Sequence, residues 1–211
     1  MKLSVSMTST SLLCLERVIK RLNELPIDMI HFDIEDGCFV PEMNLGIKII
    51  NDLREITNLP FDVHLMVFNP EWLIHRLSNE GIEQLSVHYE ATMYPRRLLR
   101  IINEANIRAG LAFNPKTEIP NLMSYFPYLN FVNVLTTEPE VEGCIYLPSI
   151  LDKVRTIKGN PDYKDVLCEV DGGITDENIN DVISAGADIV VSGRAIFKDG
   201  KIEENIKKLK Y

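Results

Sequence analysis

The segment Met-Ile-His-Phe-Asp-Ile-Glu-Asp-Gly, residues 29–37, joins an apolar run to a histidine and three carboxylates. Successive side chains of an extended strand point to opposite faces, so His31, Asp33 and Glu35 share one face and the apolar residues between them share the other. Burying an unpaired charge costs several kcal/mol even after relaxation. The segment therefore predicts a strand whose polar face is compensated by a metal ion, by counter-charges or by a catalytic role.

Short β-branched runs of this kind alternate with longer amphipathic stretches along the whole chain. The patterns predict strands at residues 3–7, 29–33, 61–66, 84–88, 109–113, 131–135, 166–170 and 189–192. They predict helices at residues 12–25, 46–56, 70–80, 94–105, 119–126, 148–157, 175–185 and 202–209. Eight such units in 211 residues predict an α/β fold, a single-domain (β/α)8 TIM barrel over residues 1–211. An open doubly wound parallel sheet is the alternative.

Composition narrows the classes of partner. The formal net charge of −9 at pH 7 argues against nucleic acid and anionic membranes, because both repel an acidic surface. No uncharged apolar stretch approaches about 18 residues, and the N-terminal residues lack the pattern of a signal peptide, so neither a membrane span nor a signal peptide is expected. The four cysteines form no CxxC pair, which predicts reduced thiols in a cytoplasmic protein.

Function in such a barrel sits where the strands end. His31 and Asp33 from the second strand, His64 from the third and Asp171 from the seventh would converge there. Two imidazoles and two carboxylates suit one divalent ion such as Zn, Fe, Co or Mn, and Asp33 and Asp171 could act as paired base and acid. The structural alternative is a set of hydrogen-bonded histidines and turn-forming aspartates. His88 either faces this cavity or is a hydrogen-bonded core residue.

A second group of residues suggests an anion site. The loops that follow the seventh and eighth strands contain Gly172, Gly173, Gly193 and Arg194. In these barrels the same two loops commonly bind phosphate, because glycines let backbone N–H groups approach an anion. Tight turns without a ligand are the alternative interpretation. Ser6, at the end of the first strand, is either a hydroxyl donor to a substrate or a turn residue.

Several motifs of the chain resemble those of the ribulose-phosphate 3-epimerase family. They are IHFD (30–33), DG (36–37), FVP (39–41), DVHLM (62–66), SVH (86–88), NP (114–115), EVDGG (169–173) and SGRAIF (192–197). The resemblance implies a metal held by His31, Asp33, His64 and Asp171, with Asp33 and Asp171 as the catalytic acid–base pair. It also implies a substrate and phosphate pocket lined by Ser6, Gly143, Gly172, Gly173, Gly193 and Arg194.

The departures from the family pattern concern the substrate. The family usually carries methionine where this chain has Glu35 and Leu135, so these two positions and Met66 are candidate specificity residues. Glu35 could accept a hydrogen bond from a substrate hydroxyl, act as a further metal ligand or serve as a third acid–base group. The loop after the sixth strand reads Glu-Pro-Glu-Val-Glu-Gly-Cys at 138–144, and only its proline and Gly143 fit the family loop. A carboxylate about 4 Å from a phosphate charge is unfavourable by about 4 kcal/mol at an effective dielectric near 20.

The resemblance implies a metal-dependent 3-epimerase that inverts C3 of a ketose phosphate through an enediolate. D-ribulose 5-phosphate is the default substrate, a related ketose phosphate is the variant, and a homo-oligomer is expected by analogy. The alternative is a non-catalytic or altered-specificity barrel that binds a sugar phosphate. The decarboxylase and hexulose-phosphate synthase group is disfavoured, because Glu35 stands where that group has a lysine.

Overall fold

The computed structural model describes residues 1–78, 80–139 and 145–210. Its centre is a closed barrel of eight parallel strands in chain order. This architecture confirms the predicted (β/α)8 barrel and excludes the open sheet. The strands are β1 (Lys2–Ser6), β2 (Met29–Glu35), β3 (Phe61–Met66), β4 (Ile82–His88), β5 (Arg108–Phe113), β6 (Phe131–Leu135), β7 (Leu167–Asp171) and β8 (Ile189–Ser192).

Helices connect the strands on the outside of the barrel. In the described ranges they are α1 (Leu15–Leu22), α2 (Ile47–Arg54), α3 (Glu71–Leu77), α4 (Pro95–Glu104), α5 (Leu151–Gly159), α6 (Ile179–Ala185), α7 (Arg194–Phe197) and α8 (Ile202–Lys210). Each predicted strand overlaps an observed one. None of these helices is both long and apolar enough to cross a membrane.

The predicted helix at 119–126 is wrong. The structure has a short 3-10 turn at Leu122–Tyr125 between β5 and β6. Pro120 and Pro127 flank this segment, and a proline disfavours helical backbone at the residue before it. Phe126 is extended accordingly, with φ −66° and ψ 147°. Leu122 is buried, but the prolines leave room for one turn only.

The helices α1, α5 and α6 begin three or four residues later than predicted, and one short helix was not predicted. The stretch Leu12–Cys14 is a 3-10 turn that precedes α1. Before α6 the backbone N–H of Thr175 donates to the side chain of Asn178, so the first residues of the predicted helix form a turn instead. The additional helix α7 follows β8 directly and begins at Arg194.

The strand register sets the height of each side chain in the barrel. In the β2–β3 pair His31 lies beside Asp62, Asp33 beside His64 and Glu35 beside Met66. Because all eight strands are parallel, their carboxyl ends form a single mouth. The register therefore stacks two layers of polar side chains inside the barrel, one at the mouth and one below it.

The two faces of the strands differ in chemistry. Outward-facing residues such as Phe32, Val63 and Val87 are fully buried against the helices. This apolar layer is the hydrophobic core. Inward-facing residues include His31 and Asp62, which are also fully buried. The packing of helices against the outer faces of the strands thus buries the apolar side chains, and the inner faces carry the polar side chains of the site.

Candidate active site

A cluster of two histidines and two aspartates occupies the mouth of the barrel. His31 Nε2 lies 3.0 Å from Asp33 Oδ1 and 3.7 Å from Asp171 Oδ2. His64 Nδ1 lies 3.2 Å and 3.7 Å from the same two oxygens. One donor atom from each residue lies within 4.8 Å of all the others. The structure thus brings together four candidate ligands that come from β2, β3 and β7.

The donor set fits a divalent cation. Imidazole and carboxylate groups are the ligands that Zn²⁺ and neighbouring transition metals accept. Without an ion, burial lowers the pKa of His64, but hydrogen bonds and charges from Asp171 and Asp33 outweigh it and raise the pKa to about 9. The pKa of His31 is likewise raised well above its usual value, by Asp33 and Asp62 against the effect of burial. A divalent ion would supply the positive charge that these two protons supply.

A second layer of polar groups supports His31 from below. The carboxylate of Asp62 accepts hydrogen bonds from His31 Nδ1 at 2.7 Å, Ser4 Oγ at 2.8 Å and Gln84 Nε2 at 3.0 Å. Gln84 also donates to Glu169 at 2.6 Å. Burial and the charge of Asp62 raise the pKa of Glu169 well above its usual value, which favours the protonated form of this carboxyl group.

One donor atom from each of His31, Asp62 and Glu169 also lies within 4.8 Å of the other two. All three are fully buried, and Asp62 already accepts three hydrogen bonds. We therefore interpret this cluster as the support that orients His31. An Nδ1–H donated to Asp62 leaves His31 Nε2 facing the mouth.

Above the cluster lies a cavity of about 680 Å³. Asp33, His64 and Asp171 lie on its floor, together with the apolar side chains of Met66 and Leu135. The side chain of Asp171 is 18% exposed, whereas that of Asp33 is 9% exposed. The cavity is large enough for a small phosphorylated sugar.

Ser6 also lines this cavity, and its hydroxyl approaches the second oxygen of Asp33. Ser6 Oγ donates to Asp33 Oδ2 at 3.1 Å, and Thr8 Oγ1 donates to the same oxygen at the same distance. Ser6 and Thr8 are therefore placed to orient the Asp33 carboxylate, and both line the cavity.

The far wall of the cavity is built from glycine turns after β7 and β8. Gly172 has φ +105°, and a Cβ there would lie 2.5 Å from the Thr137 hydroxyl and 2.9 Å from its backbone N. A Cβ on Gly193 would lie 2.4 Å from Ser9 Oγ and 3.1 Å from the backbone O of Ser6. Only glycine fits these close approaches. Gly173 and Arg194 line the same wall.

Comparison with known proteins identifies the chain. A family model described as "Ribulose-phosphate 3 epimerase family" matches residues 2–197. The chain belongs to the ribulose-phosphate 3-epimerase family. The predicted resemblance and the predicted enzyme class, an epimerase acting on carbohydrates, are thereby confirmed.

Individual relatives of this family cover almost the full chain. The ribulose-phosphate 3-epimerase of Bacillus subtilis (strain 168) is 36% identical over 199 residues, which are 93% of this chain and 92% of the relative. That of Aquifex aeolicus (strain VF5) is 35% identical over 185 residues, which are 87% and 83% of the two chains.

Two solved structures show the shared architecture. A mutant tryptophan synthase alpha-subunit from Pyrococcus furiosus has a TM-score of 0.69 at 16% identity, covering 98% of this chain and 96% of its own. A 3-hexulose-6-phosphate synthase has a TM-score of 0.66 at 17% identity, covering 99% and 98%. At these identities the likeness concerns the barrel alone.

Of the positions that depart from the family pattern, Glu35 and Leu135 can be located. Glu35 is the last residue of β2, is 5% exposed and lies beside Met66. Its backbone N–H donates to the carbonyl of Asn44, which lines the cavity. Leu135 ends β6 beside Asp171. Gly143, predicted to bind phosphate, and the glutamates at 140 and 142 lie outside the described residues.

Asp62 and Glu169 were not predicted as parts of the site, although each precedes a candidate ligand by two residues on the same strand face. For His88 the sequence left two interpretations open, a residue facing the cavity or a hydrogen-bonded core residue. The structure pairs His88 with His64 and with Glu90, which was not predicted as part of the site. His88 Nε2 lies 2.9 Å from His64 Nε2, and His88 Nδ1 lies 3.1 Å from Glu90 Oε2.

Proposed function

We propose that this protein is a metal-dependent 3-epimerase that interconverts D-ribulose 5-phosphate and D-xylulose 5-phosphate, or a related pair of ketose phosphates. One observation carries the proposal. Asp33 and Asp171 approach the same imidazole nitrogen of His31, at 3.0 Å and 3.7 Å, and both line one cavity. Two carboxylates around one bound substrate are what inversion by two proton transfers requires.

The reaction needs a base on one side of the substrate carbon and an acid on the other. The C3–H bond of a ketose lies next to the C2 carbonyl and is therefore acidic. One aspartate removes this proton, and the bonding electrons move into an enediolate across C2 and C3. The second aspartate then delivers its own proton to the opposite face of C3. The carbon is inverted, and the two aspartates have exchanged protonation states.

His31, Asp33, His64 and Asp171 would hold one divalent ion, with Zn, Fe, Co or Mn as candidates. A bound divalent ion acts as a Lewis acid that stabilises negative charge on substrate oxygen. The support for this ligand set is the fit of its donors and the hydrogen bond by which Asp62 holds His31. Support of this kind is typical of metal-binding histidines.

The remaining cavity residues would bind and orient the sugar. The turns with Gly172, Gly173 and Gly193 offer backbone N–H groups to a phosphate, and Arg194 adds a positive charge beside them. Met66 and Leu135 would cover the reacting carbons with apolar surface and keep water away. Ser6 would hydrogen-bond a substrate hydroxyl. Gly143 would contribute to phosphate binding, as the sequence predicts.

Glu35 is the proposed specificity residue. A carboxylate there accepts hydrogen bonds, which the methionine usual in the family does not do well. Because Glu35 lies beside Met66, which lines the cavity, we assign Glu35 the recognition of a substrate hydroxyl.

A second candidate function is a sugar-phosphate barrel that is non-catalytic or altered in specificity. The observation that favours it is the loop sequence at 138–144, where two glutamates stand in place of glycines. Those carboxylates would oppose a phosphate that approached them closely.

Proton exchange in D₂O tests the two candidates. The protein is incubated with a panel of ketopentose and ketohexose phosphates, and C3 is followed by NMR. We expect deuterium to enter C3, with Asp33→Asn and Asp171→Asn each abolishing exchange. The control is Asp52→Asn, a surface aspartate paired with Lys48 on α2. Absence of exchange with every sugar would support the non-catalytic candidate.

We also propose a cytoplasmic homo-oligomer. The support is the cysteine usage of the sequence and analogy with the family. Cys14, Cys38 and Cys168 are free thiols in the described ranges. Sedimentation velocity of the purified protein would measure the oligomeric state.

A further inference from the structure

A line of three side chains runs from the candidate metal centre to the rim of the barrel. His64 Nε2 faces His88 Nε2 at 2.9 Å, and His88 Nδ1 faces Glu90 Oε2 at 3.1 Å. Both histidines are fully buried. Each heavy-atom pair is within hydrogen-bond distance, so each contact must contain one donor and one acceptor.

The Glu90 end of this line fixes the direction of the hydrogen bonds. The other carboxylate oxygen, Oε1, accepts the backbone N–H of Asn114 at 2.9 Å and also the hydroxyl of Thr117. A carboxylate engaged in this way is an acceptor only. His88 Nδ1 must therefore carry the proton that is donated to Glu90.

The proton on His88 Nδ1 also fixes which ring donates in the hydrogen bond between His88 and His64. A neutral imidazole has one N–H, so a proton on His88 Nδ1 makes His88 Nε2 an acceptor. His64 Nε2 must supply the proton for the 2.9 Å contact between the rings. In the neutral form of His64 this leaves a lone pair on Nδ1, which faces Asp33 Oδ1 at 3.2 Å and Asp171 Oδ2 at 3.7 Å.

Packing holds the two rings in this orientation. The ring of Phe39 lies against His88 with a centroid separation of 4.4 Å. The rings of His88 and His64 are nearly parallel, at 27°, with centroids 4.9 Å apart. A flip of either ring would remove these hydrogen bonds, because ring carbons would take the places of the nitrogens.

We propose that His88 and Glu90 are positioning residues that hold His64 as the Nε2–H tautomer and so direct its Nδ1 to the metal. This inference rests on the proposed metal site. It assigns the two histidine ligands different nitrogens. His64 binds through Nδ1 with a histidine–glutamate pair behind it, and His31 binds through Nε2 with Asp62 behind it.

Histidine NMR tests the direction of the line. The chain has four histidines, which long-range ¹H–¹⁵N spectra can resolve and single substitutions can assign. We expect His88 to be an Nδ1–H tautomer both in metal-free protein and after titration with Zn²⁺. A proton on His88 Nε2 would overturn the proposal, because that nitrogen could then not accept from His64.

Metal affinity tests the consequence. Glu90→Gln keeps the shape of the side chain but lets an amide N–H face His88 Nδ1, so the Nδ1–H tautomer loses its preference. We expect the affinity for Zn²⁺, measured by calorimetry with a competing chelator, to fall about 10–100-fold. The matched control is Glu83→Gln on β4, the strand that precedes Glu90, where the glutamate pairs with Arg108 at the surface.

The outcomes separate this inference from the proposed function. Equal Zn²⁺ affinity in Glu90→Gln and Glu83→Gln would overturn the positioning role, provided that circular dichroism shows both variants folded. Failure of the unsubstituted protein to bind Zn²⁺ would instead refute the proposed metal site. The His88 tautomer in metal-free protein would still decide the direction of the line.

Discussion

Removing metal from this protein should make its stability depend on pH in a specific way. In the metal-free protein the carboxylates raise the pKa of His64 from 6.5 to about 9. The folded state then binds the His64 proton more tightly than the unfolded state does. The resulting stabilisation is fully present below pH 6.5 and is lost as the pH rises through about 9.

His88 has the opposite effect at lower pH. Burial, with the charge of His64 acting in the same direction, lowers the pKa of His88 to about 4 although Glu90 opposes it. The folded state therefore favours neutral His88, and this contribution is lost as the pH falls from 6.5 towards 4. Together the two histidines place the stability maximum of the metal-free protein near pH 6.5.

The size of the alkaline loss follows from the pKa of His64. Each pKa unit corresponds to about 1.36 kcal/mol, so the interval from 6.5 to about 9 corresponds to about 3 kcal/mol. The pKa of His31 is raised in the same direction and adds to the loss. Because domains of this kind are stable by only about 5–15 kcal/mol, the change is large enough to measure.

Urea denaturation of chelator-treated protein at fixed pH values would measure it. We expect the free energy of unfolding to fall by about 3 kcal/mol between pH 6.5 and 9, and Zn²⁺ to restore it at pH 9 because the ion binds the neutral imidazoles. His75→Asn, which changes a histidine on α3 outside the cluster, should keep the profile. A metal-free profile that is flat or rising over this interval would refute the reasoning.

Three further predictions concern single residues. Gly172→Ala should lower the unfolding free energy by at least about 1–3 kcal/mol, because an L-residue at this φ is strained, and should raise KM for phosphorylated substrates. Asp62→Asn should weaken Zn²⁺ binding about 10–100-fold in calorimetry, because His31 loses its carboxylate acceptor. Glu35→Met should retain metal binding but change the order of preference among ketopentose and ketohexose phosphates in steady-state kinetics.

Each of these predictions has a result that contradicts it. Gly159→Ala is the control for Gly172→Ala, because a Cβ at residue 159 meets nothing within 4 Å. Equal losses of unfolding free energy in the two variants would contradict the argument from backbone conformation and close approach at Gly172. Unchanged Zn²⁺ affinity in Asp62→Asn would remove the support role of that carboxylate. An unaltered preference across the sugar panel would count against Glu35 as a specificity residue.

The strands and the cluster at their ends could be predicted because their signals are local. Alternation along 29–35 and 61–66 places His31, Asp33 and His64 on inward faces without any knowledge of the partners. The helix at 119–126 failed for an equally local reason, since the apolar period outweighed Pro120 and Pro127 in the prediction. Local patterns report burial well and backbone interruptions poorly.

The supporting residues could not be predicted because their roles depend on atoms from distant strands. Burial raises the pKa of Glu169, and so does the charge of Asp62, which lies on a different strand and is bridged to Glu169 by Gln84. His88 acquires a role only through the ring orientation of His64. No spacing in the sequence encodes which nitrogen of an imidazole faces which neighbour.

The arrangement also explains how the barrel tolerates a polar interior. Replacing interior carboxylates and imidazoles by apolar groups is often neutral or stabilising in proteins, so these groups are not needed to hold the barrel closed. Residues such as Phe32 and Val63, buried between the strands and the helices, provide the apolar burial instead. The polar interior of the barrel is separate from the apolar layer between strands and helices. The interior can therefore determine which histidine nitrogens face the metal site and where protons lie, while the apolar layer maintains the fold.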